Sequence, residues 1–306
     1  MKAAIFVCAV LAAQTPTSPQ GRMVDVGGRK LHLSCTGTGS PAVVLVGGGG
    51  AFAIDWALVQ PELALTIRVC SYDRAGLGWS DAGPADETVE QTVSDLHELL
   101  NRAGERGPYV LVGASIGGIY IRAYQREFPK DVAALVFTNS ANRVGLVAEG
   151  ANGLLWDLSE EQIRSAFPIQ PPAGAPPSRV GEPFDRLPEH LQATRLQFNQ
   201  QLHERTRRTP DGPASMLSWR KEFLREFDET EAGTPLLGEL PVVVVSSDPI
   251  HADSARSRDG LAARRLLFSR NTTLVVAKGS GHEIHLYQPE TVVQTLRQTV
   301  ATLRNR

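Results

Sequence analysis

Cysteine and methionine are scarce in this chain, with three of each. Like charge does not accumulate either. The formal net charge is −2, and no sustained basic run is present, so nucleic acid is not an expected partner and nothing favours an acidic surface. The Cys and His residues show no metal-ligand spacing, and the chemistry expected below requires neither a metal nor an organic cofactor. No internal repeat divides the chain. The apolar stretch 3–13 would extend only ~17 Å as a helix, against the ~30 Å of a bilayer's hydrocarbon core. With Lys2 before it, Ala12 and Ala13 at its end and the polar run 14–19 after it, the segment reads as an export signal over residues 1–13. Cleavage would remove Cys8 and leave no integral membrane anchor, giving an exported protein. A loosely docked N-terminal tail is the plainer alternative.

The pattern of the remaining chain is rhythmic. Short apolar runs of strand character fall at 42–46, 66–72, 109–112, 132–138, 242–245 and 272–277, and 30–35 alternates polar and apolar as a half-buried edge strand does. Helical periodicity separates them at 56–65, 88–102, 116–128, 254–267 and 289–306. Strands alternating with helices predict an α/β fold, a mostly parallel sheet covered on both faces, with its active site at the carboxyl ends of the strands. The length of 306 residues suits two domains, or one such domain with an insertion. Between 142 and 236 the rhythm stops. Amphipathic helical stretches at 162–167, 189–205 and 214–227 and a Pro-rich connector at 170–183 replace it, too long for a simple loop. The organisation expected is a core of 23–141 and 237–306 with a helical cap at 142–236. Within the cap, Trp156, Phe167, Phe198, Trp219 and Phe223 either line a pocket or pack the cap itself.

The run 109–112 ends in Gly113-Ala114-Ser115-Ile116-Gly117, and helical spacing follows at once. Strand, sharp turn and helix in that order present a serine hydroxyl from strained backbone at a helix start, where glycines on either side avoid clashes. Acyl transfer from such a serine needs a base, an acid that orients it, and donors for an oxyanion. His282, in the glycine-rich turn after 272–277, is the expected base. His285, one turn further on, is the rival and otherwise an exposed or packing histidine. His32, His97, His190 and His203 read as structural, and His251 as a neighbour of the acid. Asp248, directly after Val242–Ser247, is the expected acid. Asp253 and Asp259 are less well placed, and 132–138 ends in Asn139 rather than an acid. The oxyanion donors expected are the backbone N–H groups of Ile116 and of Gly49, in the glycine run 47–50.

Together these residues resemble the α/β-hydrolase superfamily from Met23 to Arg306. The order Ser115, Asp248, His282 is similar to that family's order. The segment Asp73-Arg74-Ala75-Gly76-Leu77-Gly78-Trp79-Ser80 is similar to its Asp-x-x-Gly-x-Gly-x-Ser motif, which implies that Asp73 and Arg74 brace the loops around the site. Gly281-His282 followed by Pro289-Glu290 also resembles the family's C-terminal pattern. Gly47-Gly48 stands where many relatives have His-Gly, and resembles the loop of some esterases that accept bulky alcohols. In that fold Cys35 and Cys70 would lie on adjacent antiparallel strands, either bridged or as two buried thiols.

The activity expected is that of a serine hydrolase (a carboxylesterase on small or medium acyl esters) whose partner is a small-molecule ester. A carbon–carbon bond hydrolase, a lactonase or a perhydrolase would use the same residues, and a non-catalytic binding protein could keep the fold.

Overall fold

A computed structural model describes residues 20–84, 87–140, 174–208, 217–219, 221–222, 225, 237–247 and 269–306. The segments read from sequence at 1–13, 162–167 and 254–267 lie outside the described residues, as do most of 214–227 and part of the connector at 170–183.

Eight strands form one sheet: β1 (Arg22–Asp25), β2 (Lys30–Thr36), β3 (Ala42–Val46), β4 (Val69–Tyr72), β5 (Tyr109–Ala114), β6 (Val132–Thr138), β7 (Val242–Ser247) and β8 (Thr272–Ala277). Their order across the sheet is β1-β2-β4-β3-β5-β6-β7-β8. The pairs β1/β2 and β2/β4 are antiparallel, and every other pair is parallel. The mostly parallel α/β sheet expected from the sequence is the one observed.

One strand departs from expectation. β2 is not an edge, because β1 pairs along it and both faces of Leu31–Leu33 are buried. The polar member of its alternation, His32, is satisfied internally: Nδ1 lies 2.8 Å from Asp73 Oδ2. A polar residue with a buried partner therefore imitated a solvated face.

The central strands are mostly β-branched and aliphatic because both of their faces are covered. Val44, Val46, Leu111, Leu135 and Phe137 point to one face, where α2 (Val89–Ala103) and α3 (Gly117–Glu127) pack. Val43, Leu45, Val110, Val112 and Val136 point to the other, beneath Trp56, Leu63 of α1 (Gln60–Ala64) and Val292, Leu296 and Val300 of the C-terminal helix Pro289–Arg304. Local signals bound these helices. Thr88 Oγ1 accepts the Gln91 N–H at 3.3 Å at the start of α2, and Gly104 ends it in the left-handed region at φ 77°.

Helix α4 (Glu189–Arg208) lies against the loops that leave the carboxyl ends of β3 and β4. Phe198 packs between Phe52 and Trp79, with ring centroids 5.0 and 4.8 Å away, and Arg205 Nη1 donates to the Gly76 carbonyl at 2.6 Å. A short helix α5 (Ile284–Tyr287) precedes α6 (Pro289–Arg304). Cys35 and Cys70 are register partners on β2 and β4 and are joined by a disulfide, which resolves the choice the sequence left open.

Candidate active site

Ser115 occupies the turn between β5 and α3 at φ 51°, the left-handed strain expected of a non-glycine residue presented on a sharp elbow. The neighbours hold it there. Its N–H donates to the Thr138 carbonyl at 3.2 Å, and its own carbonyl accepts from Ser140 Oγ at 2.8 Å and the Gly118 N–H at 3.1 Å. Glycine at 113 is a matter of space, since a Cβ there would sit 2.6 Å from the Gly118 nitrogen.

The glycine run after β3 passes directly beside this turn. A Cβ on Gly48 would come within 2.9 Å of Ser115 Cβ. Arg74, buried and at the end of β4, sets the run's orientation. Its Nη1 donates to the Gly47 carbonyl at 2.6 Å and its Nη2 to the Gly48 carbonyl at 2.7 Å, while the guanidinium lies 5.0 Å over the Tyr120 ring. In a trans peptide the C=O and the following N–H point oppositely. Fixing the Gly48 carbonyl on Arg74 therefore turns the Gly49 N–H away from Arg74. Asp73 supports the same region from below. Its Oδ1 accepts the Ala53 N–H at 2.7 Å, its Oδ2 accepts the Trp79 N–H at 3.2 Å, and His32 completes its shell. Both residues brace loops, as the resemblance implied.

Ser115, Ile116, Gly49 and His282 all line one cavity of about 330 Å³. His282 lies on the turn after β8 with its side chain exposed. Asp248, His251, Asp253 and Asp259 lie outside the described residues. Asn139, at the end of β6, has φ 37° and reaches both flanking loops. Its Oδ1 accepts the Ser247 N–H at 2.8 Å, and its Nδ2 faces Ser247 Oγ at 2.7 Å and the carbonyls of His282 and Gly281 at 3.0 and 3.2 Å.

Several residues of the cavity wall were not singled out from the sequence. Asp55 and Arg195 meet there, with Arg195 Nε 2.8 Å from Asp55 Oδ1, and both side chains are buried. The guanidinium is flanked by Phe52 and Phe184, whose ring centroids are 4.3 and 4.1 Å from Cζ. Burial pushes the Asp55 carboxyl up to about 6, only partly offset by Arg195, and burial lowers Arg195 in turn. His285 also borders the cavity and is buried, its ring 4.4 Å from Trp56. Burial first, then the proximity of His282 and Arg195, brings it down to about 3, so it is a neutral packing histidine. Of the aromatic residues considered for the pocket, Trp219 lines it while Phe198 packs the core beside it. Trp156, Phe167 and Phe223 lie outside the described residues. Periodicity placed Arg195 on a helix, but no local signal in the sequence pairs it with a residue 140 positions earlier.

Among described residues, the one close Cys–Cys–Glu grouping contains the two bridged cysteines and so offers no free thiolates to a metal.

The chain matches the model of the alpha/beta hydrolase family over residues 43–295. It is 25% identical to "Probable transporter efuK" of Hormonema carpetanum across 94% of this chain and 43% of that protein. It spans 43, 37 and 26% of the length of three curated relatives, efuK among them. It is 33% identical to the 2-hydroxymuconate semialdehyde hydrolase of Pseudomonas sp. strain CF600, over 45% of this chain and 50% of that enzyme. Among solved structures it resembles a thermophilic esterase from Thermogutta terrifontis with malate bound, at a TM-score of 0.65 and 23% identity, covering 93% of this chain and 99% of that one. At that identity the likeness speaks for the fold alone.

Proposed function

We propose that this chain, which belongs to the alpha/beta hydrolase family, is a hydrolase that cleaves small to medium carboxylic esters through an acyl-enzyme. One observation carries this reading. Ser115 sits on a strained elbow in the same cavity as His282, beside a glycine loop whose carbonyls are drawn away onto Arg74.

In the proposed reaction Ser115 Oγ attacks the ester carbonyl while the His282 imidazole takes the hydroxyl proton. The N–H groups of Gly49 and Ile116 receive the oxyanion, at a helix start that favours negative charge. Asp248 accepts the other ring N–H of His282 and stabilises the imidazolium. The imidazolium returns the proton to the leaving alkoxide, and the acyl group stays on Ser115. Water, deprotonated by His282, then releases the acid and restores the serine. No step calls for a metal or organic cofactor.

Residues 142–236 are proposed as a helical cap, a reading supported by the seating of α4 on the loops after β3 and β4. Residues 1–13 are proposed as an export signal, supported by their composition and by the Cys35–Cys70 bridge, which suits an oxidising compartment. Carbon–carbon bond hydrolysis by the same groups is the second reading, favoured by the 33% identity to the semialdehyde hydrolase.

A fluorophosphonate probe tests the nucleophile. The adduct is expected on Ser115 by peptide mass spectrometry, and it should vanish in His282→Ala. Folded protein that does not label would remove the serine-hydrolase reading and leave a non-catalytic ligand-binding relative. Product analysis on simple esters and on vinylogous diketones separates the two hydrolytic readings.

A further inference from the structure

The end of β6 holds a polar residue that the proposed reaction does not use. Asn139 is buried, in the left-handed region at φ 37°, and its backbone N–H donates to the Val245 carbonyl at 2.9 Å, one strand over. From that position its side chain bridges two loops distant in sequence. Ser247, at the end of β7, donates its N–H to Oδ1 at 2.8 Å, and its Oγ accepts from Nδ2 at 2.7 Å. The carbonyls of His282 and Gly281 lie 3.0 and 3.2 Å from the same Nδ2.

The hydrogen count explains why the residue is an amide. An asparagine side chain offers two N–H donors and one carbonyl oxygen. Oδ1 serves the Ser247 N–H. One hydrogen of Nδ2 serves Ser247 Oγ, and the other is shared between two carbonyls on the histidine loop. An ionised aspartate could not donate, and would turn negative charge on both carbonyls. Asparagine also tolerates a positive φ better than most residues that carry a Cβ. Donor, acceptor and backbone conformation thus all select the same side chain.

We propose that Asn139 is a positioning residue whose amide clamps Ser247, at the end of β7, to the backbone of Gly281 and His282, fixing the loop that carries His282 against the sheet. It rests on the serine-hydrolase reading above. Asn139 takes no part in the proposed reaction itself; it acts through the backbone of His282. Thr138 and Ser140, on either side of Asn139, hold the Ser115 elbow through its N–H and its carbonyl, so the effect on the clamp is read first at His282, on the other loop.

Asn139→Gly is the informative variant, because glycine keeps the positive φ without strain and removes only the amide. Two readouts are taken on the full chain. In the first, ring-labelled histidine NMR locates the His282 peak by its loss in His282→Ala. That peak is expected to move or broaden in Asn139→Gly, while those of His32 and His97, on other elements, stay in place. In the second, the fluorophosphonate labelling rate of Ser115 is expected to fall on the order of 10–100-fold, the usual effect of displacing a reacting group by a fraction of an ångström to an ångström, with KM for a simple ester little changed. An unmoved His282 peak overturns the proposal, as does a labelling rate within about twofold of the parent. Failure of the parent itself to label would overturn the hydrolase reading instead, and the NMR comparison would then decide the clamp alone. Should Asn139→Gly not fold, hydrogen exchange in the parent decides: the Ser247 amide should be protected, and exchange at the rate of an open chain overturns the clamp.

Discussion

Arg195 Nε lies 2.8 Å from Asp55 Oδ1 in the wall of the cavity that holds Ser115, and both side chains are withdrawn from water. The pair joins helix α4 to the turn after the glycine run. Asp55 is pushed up to about 6 by burial, so the attraction of Arg195 does not fully offset its desolvation. Removing one member of a buried pair leaves the other uncompensated, at a cost of about 3–5 kcal/mol. In Arg195→Met the lone carboxyl can escape that cost by taking a proton. The stability difference between parent and Arg195→Met should therefore be larger at about pH 8 than at about pH 5, because the folded variant must hold a proton that the unfolded carboxylate has lost, at a cost that grows with pH, whereas in the parent Asp55 can ionise beside Arg195 above about 6. Urea unfolding of both proteins at both pH values measures it, and an equal difference would show that the pair is not ionised in the parent.

Ser115 at φ 51° stores strain that a glycine would release. Ser115→Ala keeps that strain and Ser115→Gly does not. Both should lose ester turnover, and the glycine variant should be the more stable of the two by about 1 kcal/mol. Denaturant midpoints of the two inactive proteins provide the comparison; equal midpoints would mean that the elbow relaxes once the hydroxyl is gone.

Arg74 holds two successive carbonyls with two separate nitrogens. Lysine keeps the charge but has no fork to reach both. Arg74→Lys should free the Gly48 peptide to rotate and so lose part of the Gly49 donor. The expected loss in kcat is at least about tenfold, approaching the ~10²–10³ seen when an oxyanion donor is removed outright, with KM little affected. A steady-state comparison on one ester suffices, and an unchanged kcat would remove Gly49 from the oxyanion role.

His285 is buried and lowered to about 3 from an ordinary value of 6.5, so it stays neutral in the folded protein where the unfolded chain would take a proton. Below 6.5 the unfolded state binds more protons, and stability must rise with pH in that window. The contribution is complete above about 6.5 and is lost progressively as pH falls towards about 3. His285→Phe keeps a ring against Trp56 and removes the titration. It should match the parent near neutrality and exceed it by about 2 kcal/mol at about pH 5. Thermal melts at the two pH values check the sign, and a variant equally acid-sensitive would place the origin elsewhere.

Much of this protein can be read directly from local sequence. Buried parallel strands such as Ala42–Val46 and Val132–Thr138 must be continuous apolar runs, because both faces are covered, and they stand out for that reason. The elbow at Ser115 is similarly visible, since strand, glycine-flanked serine and helix are contiguous. Boundaries shifted where the chain turns tightly. The helix expected over 56–65 is a 3-10 turn at Ala53–Trp56 followed by Gln60–Ala64, and the strand expected from 66 begins at Val69. The edge role of residues 30–35 failed because a buried hydrogen bond between His32 and Asp73 produced the alternation that solvent usually produces.

Local sequence suffices for the fold class and for the position of Ser115 on its elbow, because each is written in contiguous residues obeying one periodicity or one turn. Only the tertiary structure decided that Arg74 orients Gly47 and Gly48, that Cys35 is bonded to Cys70, that Asp55 meets Arg195 in the cavity wall, and that Asn139 spans Ser247 and His282. Those contacts join residues from 26 to 143 positions apart. Their partners are chosen by the order of strands in the sheet and by the need of each buried donor or acceptor for a mate, and neither is expressed in any local stretch of chain.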